Sequence, residues 1–180
     1  LSYAKSFNGL IIQHAEEHNL SLNCVMNEGE IATRMGLRGV PSYAEAMIIE
    51  RDIWLVKETK CRYHVNHIST KESVDIIRNA KKDGLPVTCD TSPPYFTLNE
   101  FNIEDYRTFA KLNPPLRTEK DRESIIEGIS DGTIDSITSD HTPQDQDAKR
   151  LPFNQAEFGG VGLETLLPLS LNLVKSKKIN

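Results

Sequence analysis

Three apolar, β-branched runs that each end on a metal-capable side chain constrain this chain more than any other feature. They are Leu10-Ile11-Ile12-Gln13-His14, Tyr63-His64-Val65-Asn66-His67 and Ile134-Asp135-Ser136-Ile137-Thr138-Ser139-Asp140. Each then gives way to loop or helix. Barrels of parallel strands carry their chemistry at the strands' C-terminal ends. Endings of His, His and Asp, in that order, therefore point to one metal-centred hydrolytic site.

Between these runs the pattern alternates strand and helix. Strands are expected over 9–13, 62–68, 86–90 and 134–139, with a Gly- and Asn-bearing loop over 19–40. Apolar residues recur at spacings of three and four through 42–57, which predicts an amphipathic helix. Ser69 or Thr70 can cap a helix over 71–82, with Glu72 in its first turn and Gly84 at its left-handed end. Thr118 and Asp121 form a near-match to a capping box for the next helix, closed by Gly132. The proline-bearing stretch 91–117 reads as irregular, and 162–174 as a last helix. Strands separated by helices pair in parallel through right-handed crossovers. The expected fold is α/β: four parallel strands with flanking helices, roughly the second half of a TIM-type (β/α)8 barrel. A whole barrel needs around 250 residues, so residues 1–180 are expected to be one incomplete barrel domain. Leu1-Ser2-Tyr3-Ala4-Lys5 looks like the middle of a helix, and its missing cap suggests a chain cut, or read, from inside a gene.

The formal charge of −5 and pI near 5.6 argue against a nucleic-acid surface. No apolar stretch approaches the roughly 20 residues that span a bilayer. Three widely spaced cysteines, Cys24, Cys61 and Cys89, lack a Cys-x-x-Cys pair and fit a reduced, cytoplasmic compartment.

The candidate residues leave alternatives open when read singly. His14 and His18 would share a face only if residues 14–18 were helical, and a lone His is more often structural. In a strand, Val65 and His67 point one way, His64 and Asn66 the other. Only one histidine can then face a barrel interior. His67, at the strand's end, is the better ligand, and His64 the better structural hydrogen-bonding group. Of Asp140 and His141, again only one can point inward, and Asp140 could instead cap the turn at Thr142-Pro143. Asn113, fixed before Pro114-Pro115, can read an amide edge. Phe158-Gly159-Gly160 offers backbone that can approach a small ligand closely.

In series, these segments resemble the dihydroorotase family of cyclic amidohydrolases. The resemblance rests on Gln13-His14-Ala15-Glu16, Met26-Asn27-Glu28-Gly29-Glu30, His67-Ile68-Ser69-Thr70, Asn113-Pro114-Pro115-Leu116-Arg117, Asp131-Gly132-Thr133-Ile134-Asp135, Asp140-His141-Thr142-Pro143, and Phe158-Gly159 with Val161-Gly162-Leu163-Glu164-Thr165. It implies two Zn2+ ions per complete site, with His14 and His67 on the second and Asp140 on the first. It implies hydrolysis of dihydroorotate, or the reverse cyclisation of N-carbamoyl-L-aspartate, in pyrimidine biosynthesis. Hydroxide between the metals would attack the amide carbonyl, with Asp140 as general base and then acid. Asn113, Gln144, Phe158 and Gly159 would hold the substrate.

Some family parts are absent. The His-x-His pair of the first strand, the bridging carboxylate or carboxylated lysine of the fourth, and the Arg and Asn for the substrate carboxylate would lie upstream of Leu1. The family's last portion would follow Asn180. The 180-residue chain alone is therefore expected to be inactive. Gln144 stands where many members have His, and Thr91-Ser92-Pro93-Pro94-Tyr95 stands where Thr-Pro-His-His is common, so carboxylate specificity is less fixed than the metal ligands. Alternatives are a hydantoinase or allantoinase, and a non-catalytic scaffold that assembles with aspartate transcarbamoylase. Homo-oligomers are compatible with either.

Overall fold

The computed structural model describes residues 1–179. In chain order the elements are α1 (Ser2–Ser6), β1 (Leu10–His14), α2 (His18–Ser21), β2 (Met26–Asn27), α3 (Glu30–Met35), β3 (Gly39–Val40) and α4 (Tyr43–Thr59). They continue with β4 (Arg62–Asn66), α5 (Lys71–Lys82), β5 (Val87–Thr91), α6 (Pro93–Thr97), α7 (Glu119–Ser130), β6 (Ser136–Ile137), α8 (Gln146–Lys149) and α9 (Leu163–Lys175). Four strands form one parallel sheet in the order β1-β4-β5-β6. The expected strand–helix alternation is thus present, and every connection between sheet neighbours passes through helix.

Register defines the two faces. Tyr63 pairs with Ile11 and Val87, and Val65 with Gln13 and Cys89. This face is covered by α4, α5 and α7, and the core lies between them: Tyr63, Val65 and Cys89 against Ile49, Ile53, Val56, Val74, Ile77 and Ile125, all buried. The other face carries Ile12 beside His64, His64 beside Thr88, and His14 beside Asn66. It is open, with Leu10 and Ile12 exposed.

Local chemistry explains the helix starts. The Thr70 hydroxyl accepts from the Ser73 amide at 3.2 Å, and Lys81 and Lys82 sit at the far end of α5, where cations favour the helix dipole. At α7 the Thr118 hydroxyl accepts from Asp121 N at 3.3 Å while the Asp121 carboxylate accepts from Thr118 N at 3.1 Å. The other Asp121 oxygen accepts from Lys71 N at 2.9 Å, so one cap also ties the start of α5 to α7.

Three expectations are corrected. The 19–40 loop contains α2, α3 and the parallel pair β2–β3; two-residue strands carry no periodicity to read. The irregular 91–117 stretch holds α6 and two 3-10 turns. Pro93 and Pro94 open α6, where their missing N–H groups are not needed. The strand expected over 134–139 shortens to Ser136–Ile137, in register with Asp90 and Thr91 of β5, although Asp135 N and Thr138 N on either side still donate to Cys89 O and Thr91 O at 3.0 and 2.9 Å. Among the described residues no helix is long and apolar enough to cross a membrane.

Candidate active site at the strand ends

His14, His67 and Asp140 converge although 126 positions separate the first from the last. The His14 and His67 rings stand edge to face with centroids 6.1 Å apart. Asp140 Oδ1 lies 3.7 Å from His67 Nε2. His18 does not join His14 on a helical face, since His14 ends β1 and His18 begins α2.

Strand alternation alone would place His67 on the side of Val65, under the helices. The chain avoids this by leaving the strand at Asn66 and taking a left-handed conformation at His67, φ +55°. The imidazole is thereby turned to the open face that His64 already occupies. Both histidines meet the same carboxylate. Asp90 Oδ2 lies 2.9 Å from His64 Nε2, and Asp90 Oδ1 lies 3.0 Å from His67 Nδ1 and accepts from His67 N at 2.7 Å. The expectation that only one histidine faces inward is therefore corrected. The structural hydrogen bonding expected of His64 is present, with Thr88 Oγ1 2.7 Å from its Nδ1.

Electrostatics follow from this packing. Burial alone would lower the His67 pKa, but its hydrogen bond to Asp90 and the charges of Asp140 and Asp90 outweigh burial and raise it. Burial would raise Asp90, yet hydrogen bonds from His67 and His64 hold it below the ordinary carboxylate value. A carboxylate on Nδ1 leaves Nε2 to face outward, the arrangement by which metal-binding histidines are oriented and made more basic.

Asp140 is also left-handed, φ +44°. Its neighbour His141 points elsewhere, its Nδ1 accepting from Gly162 N and Leu163 N, each at 3.2 Å, at the start of α9. A Cβ at Gly162 would run into the Ser139 carbonyl oxygen, so only glycine lets α9 sit this close to the Asp140 turn.

The four expected substrate residues are more dispersed. Asn113 Nδ2 donates to Glu16 Oε2 at 3.1 Å, and that same oxygen is 3.8 Å from His14 Nε2. Glu16, Asn113 and Phe158 line one cleft of about 720 Å3. Asp140 lines a different one of about 620 Å3, with Arg107, Leu112 and Gly162. Gln144 and Gly159 line neither. Gln144 Nε2 donates to Phe158 O at 3.0 Å, and Gly159, at φ +115°, leaves no room for a Cβ beside Thr142.

Among the described residues, no group of three or more His, Cys, Asp or Glu side chains is close enough to hold a metal ion. The donor chemistry nevertheless fits zinc: two imidazoles, one already tied to a carboxylate, and a second carboxylate beside it. Two imidazoles on one tetrahedral zinc place their centroids about 5 Å apart, about 1 Å closer than His14 and His67.

The Dihydro-orotase-like family model matches residues 2–73. A dihydroorotase of Ehrlichia chaffeensis is 51% identical over 174 residues, 96% of this chain and 39% of its own length. A dihydroorotase of Acetivibrio thermocellus is 50% identical over 176 residues, 97% of this chain and 41% of its own. Over nearly its whole length this chain is similar to dihydroorotases. It spans about two fifths of the length of these curated relatives. An L-hydantoinase (dihydropyrimidinase) from Arthrobacter aurescens superposes with a TM-score of 0.85 at 26% identity, covering 99% of this chain and 41% of that one. A dihydropyrimidinase from Brevibacillus agri gives 0.85 at 23% identity over 100% of this chain and 41% of its own, a likeness of fold. The sheet is thus four strands of a TIM-type barrel with their helices.

Sequence reasoning passed over Asp90. Val87-Thr88-Cys89-Asp90 is a fourth β-branched run ending on a carboxylate, the very signal that found the other three. Glu45, in the first turn of α4, and Lys111 carried no local signal.

Proposed function

We propose that residues 1–180 supply part of the metal-dependent barrel of a cytoplasmic dihydroorotase, interconverting dihydroorotate and N-carbamoyl-L-aspartate. The observation that carries this reading is His67, whose Nδ1 is held by Asp90 while its Nε2 faces Asp140, with His14 against its ring. Relatives near 50% identity are dihydroorotases, which favours that activity over the hydantoinases that share the fold. His14, His67 and Asp140 would contribute ligands to a zinc site that draws its other donors from elsewhere in the protein. Zinc, when bound, lowers the pKa of water to about 7 and polarises a carbonyl.

The chain's own residues account for the rest. Asp140, partly buried at the rim, takes the proton of the attacking water as its oxygen bonds to the amide carbon. It returns that proton to the ring nitrogen as the C–N bond breaks. Asn113, fixed by Glu16, presents its carbonyl oxygen to a ring N–H. Phe158, which lines the same cleft as Asn113, would bound the ring there, with the adjacent Gly159 backbone behind it. Gln144 can donate a hydrogen bond to a carboxylate but adds no charge.

The test uses the longest polypeptide encoded around this segment, beside the 180-residue chain itself. Zinc content and turnover of dihydroorotate, hydantoins and allantoin are measured on both. The longer protein is expected to hold zinc and to prefer dihydroorotate, and the 180-residue chain to be inactive. A longer protein without zinc or turnover that co-purifies with aspartate transcarbamoylase would make the chain a scaffold instead.

A further inference from the structure

Two lysines are buried side by side beneath the segment that carries Phe158 and Gly159. Lys111 is 2% exposed and Lys149 3%. Neither has a carboxylate within ion-pair distance among the described residues; each spends its ammonium on backbone carbonyls. Lys111 Nζ donates to Phe153 O at 2.8 Å, Ala156 O at 2.6 Å and Asn154 O at 3.4 Å. Lys149 Nζ donates to Glu157 O at 2.7 Å, Thr108 O at 3.1 Å and the Lys111 carbonyl at 3.4 Å. Lys111 also stands 4.5 Å from the Phe158 ring centroid, and its carbonyl accepts from Gly159 N at 3.0 Å.

Residues 151–160 have no helix or strand to satisfy their carbonyls, and a buried unpaired carbonyl is costly. The two ammonium groups supply what secondary structure does not. Three acceptors around each nitrogen match the three donors of a charged lysine; a neutral amine would turn a lone pair toward one of them. Two unpaired cations in one small volume also repel each other, so the arrangement persists only because the carbonyl dipoles converge on it.

We propose that Lys111 and Lys149 are positioning residues: a buried two-ammonium clamp that sets the shape of residues 151–160 and thereby the place of Phe158 and Gly159 against the substrate. The substrate part rests on the proposed dihydroorotase reading; the clamp itself does not.

The experiment uses Lys111→Met and Lys149→Met in the zinc-loaded longer protein, with hydrogen exchange and steady-state kinetics on dihydroorotate. Amides of residues 151–160 are expected to exchange about tenfold faster or more, while those of β4 and β5 stay within about twofold. KM is expected to rise about tenfold with kcat within about threefold and zinc content unchanged. Lys111→Arg, which keeps charge and donors, is expected to recover part of both. Unchanged exchange in residues 151–160 would overturn the clamp, as would equal loss of protection in β4 and β5, since the lysines would then support the whole fold. Faster exchange in that segment with unchanged KM keeps the clamp and removes Phe158 and Gly159 from the substrate site. Absence of any turnover on dihydroorotate in the unsubstituted protein sinks the activity reading alone.

Discussion

Replacing Glu45 by Ala should be among the most damaging single changes in this chain. Glu45 lies on α4, 3% exposed, and holds the segment just after His67. Its Oε1 accepts from Ser69 N at 2.9 Å, Thr70 N at 3.3 Å and Ser73 Oγ at 2.6 Å; its Oε2 accepts from Ser69 Oγ and lies 3.8 Å from Arg117 Nη2. Arg117 is itself 4% exposed and donates to Asn27 Oδ1 at 3.0 Å, Val40 O at 2.8 Å and Ser69 Oγ at 3.1 Å. Removing one partner of a buried ion pair costs about 3–5 kcal/mol. Arg117 keeps three neutral acceptors, which pulls the figure down, while the Ser69 and Thr70 amides lose theirs at about 1–3 kcal/mol apiece. The expected loss is about 3–4 kcal/mol, a large part of the roughly 5–15 kcal/mol that holds a domain together. Glu45→Gln keeps one oxygen in place and should cost about 1–2 kcal/mol.

Urea unfolding followed by tryptophan fluorescence and circular dichroism measures these losses from the midpoint at constant slope. A double-mutant cycle with Arg117→Met separates the two jobs of the carboxylate. Most of its contacts go to residues 69–73, so most of the Glu45→Ala cost should persist when Arg117 is already gone. A loss below about 1 kcal/mol with an unchanged slope would refute the reasoning. Water would then be entering to satisfy the Ser69 and Thr70 amides, and the carboxylate would not be holding them.

At the proposed zinc site, Asp90→Asn in the longer protein should weaken zinc binding about 10- to 100-fold, read by chelator competition, because His67 loses the charged acceptor that orients it; unchanged affinity would remove Asp90 from the metal's support. Iodoacetamide at neutral pH should label Cys24 and spare the buried Cys61 and Cys89 in the folded protein, with burial pushing the Cys89 thiol up to about 12, as mass spectrometry after unfolding would establish. Hydrogen bonds from Arg122 and Asn99 hold the Glu119 carboxyl at about 2. Its pKa is therefore depressed on folding, and its contribution is present above an unfolded pKa of about 4.3 and fades as pH falls toward 2. Its side chain is 44% exposed, so screening keeps that contribution under about 1 kcal/mol. Glu119→Gln should accordingly narrow the stability difference between pH 7 and pH 3 only slightly, by urea midpoints at the two values.

What could be read from the sequence follows from how local each signal is. The Thr70 and Thr118–Asp121 caps were legible because a cap is decided within four residues. Helix α4 was legible because its buried positions repeat at helical spacing. The three strand-ending donors were legible as a pattern, though not their directions. Glu45 was not legible: a glutamate in a helix reads as solvent-facing until the partner that buries it, a segment 24 residues later, is in place. Lys111 and Lys149 failed for the same reason more severely, since lysine is among the residues least often buried and their acceptors are backbone atoms, invisible in any side-chain pattern.

The direction of His67 shows why strand parity could not settle the site. A pleated strand offers one face every second residue, so donors on neighbouring strands meet only if their parities agree in register. His14 meets that condition; His67, with the parity of Val65, does not. The chain resolves the conflict outside the strand, by left-handed conformations at His67 and Asp140 that each cost about 1–3 kcal/mol. At His67 that cost is offset by Asp90, which accepts from both the backbone N–H and the ring of the strained residue. The carboxylate that aims the imidazole is thus the same one that makes its conformation tenable. An Asp90 substitution should therefore cost stability as well as affinity for the proposed metal, whereas Asp140→Asn should cost that affinity and the proposed proton transfer.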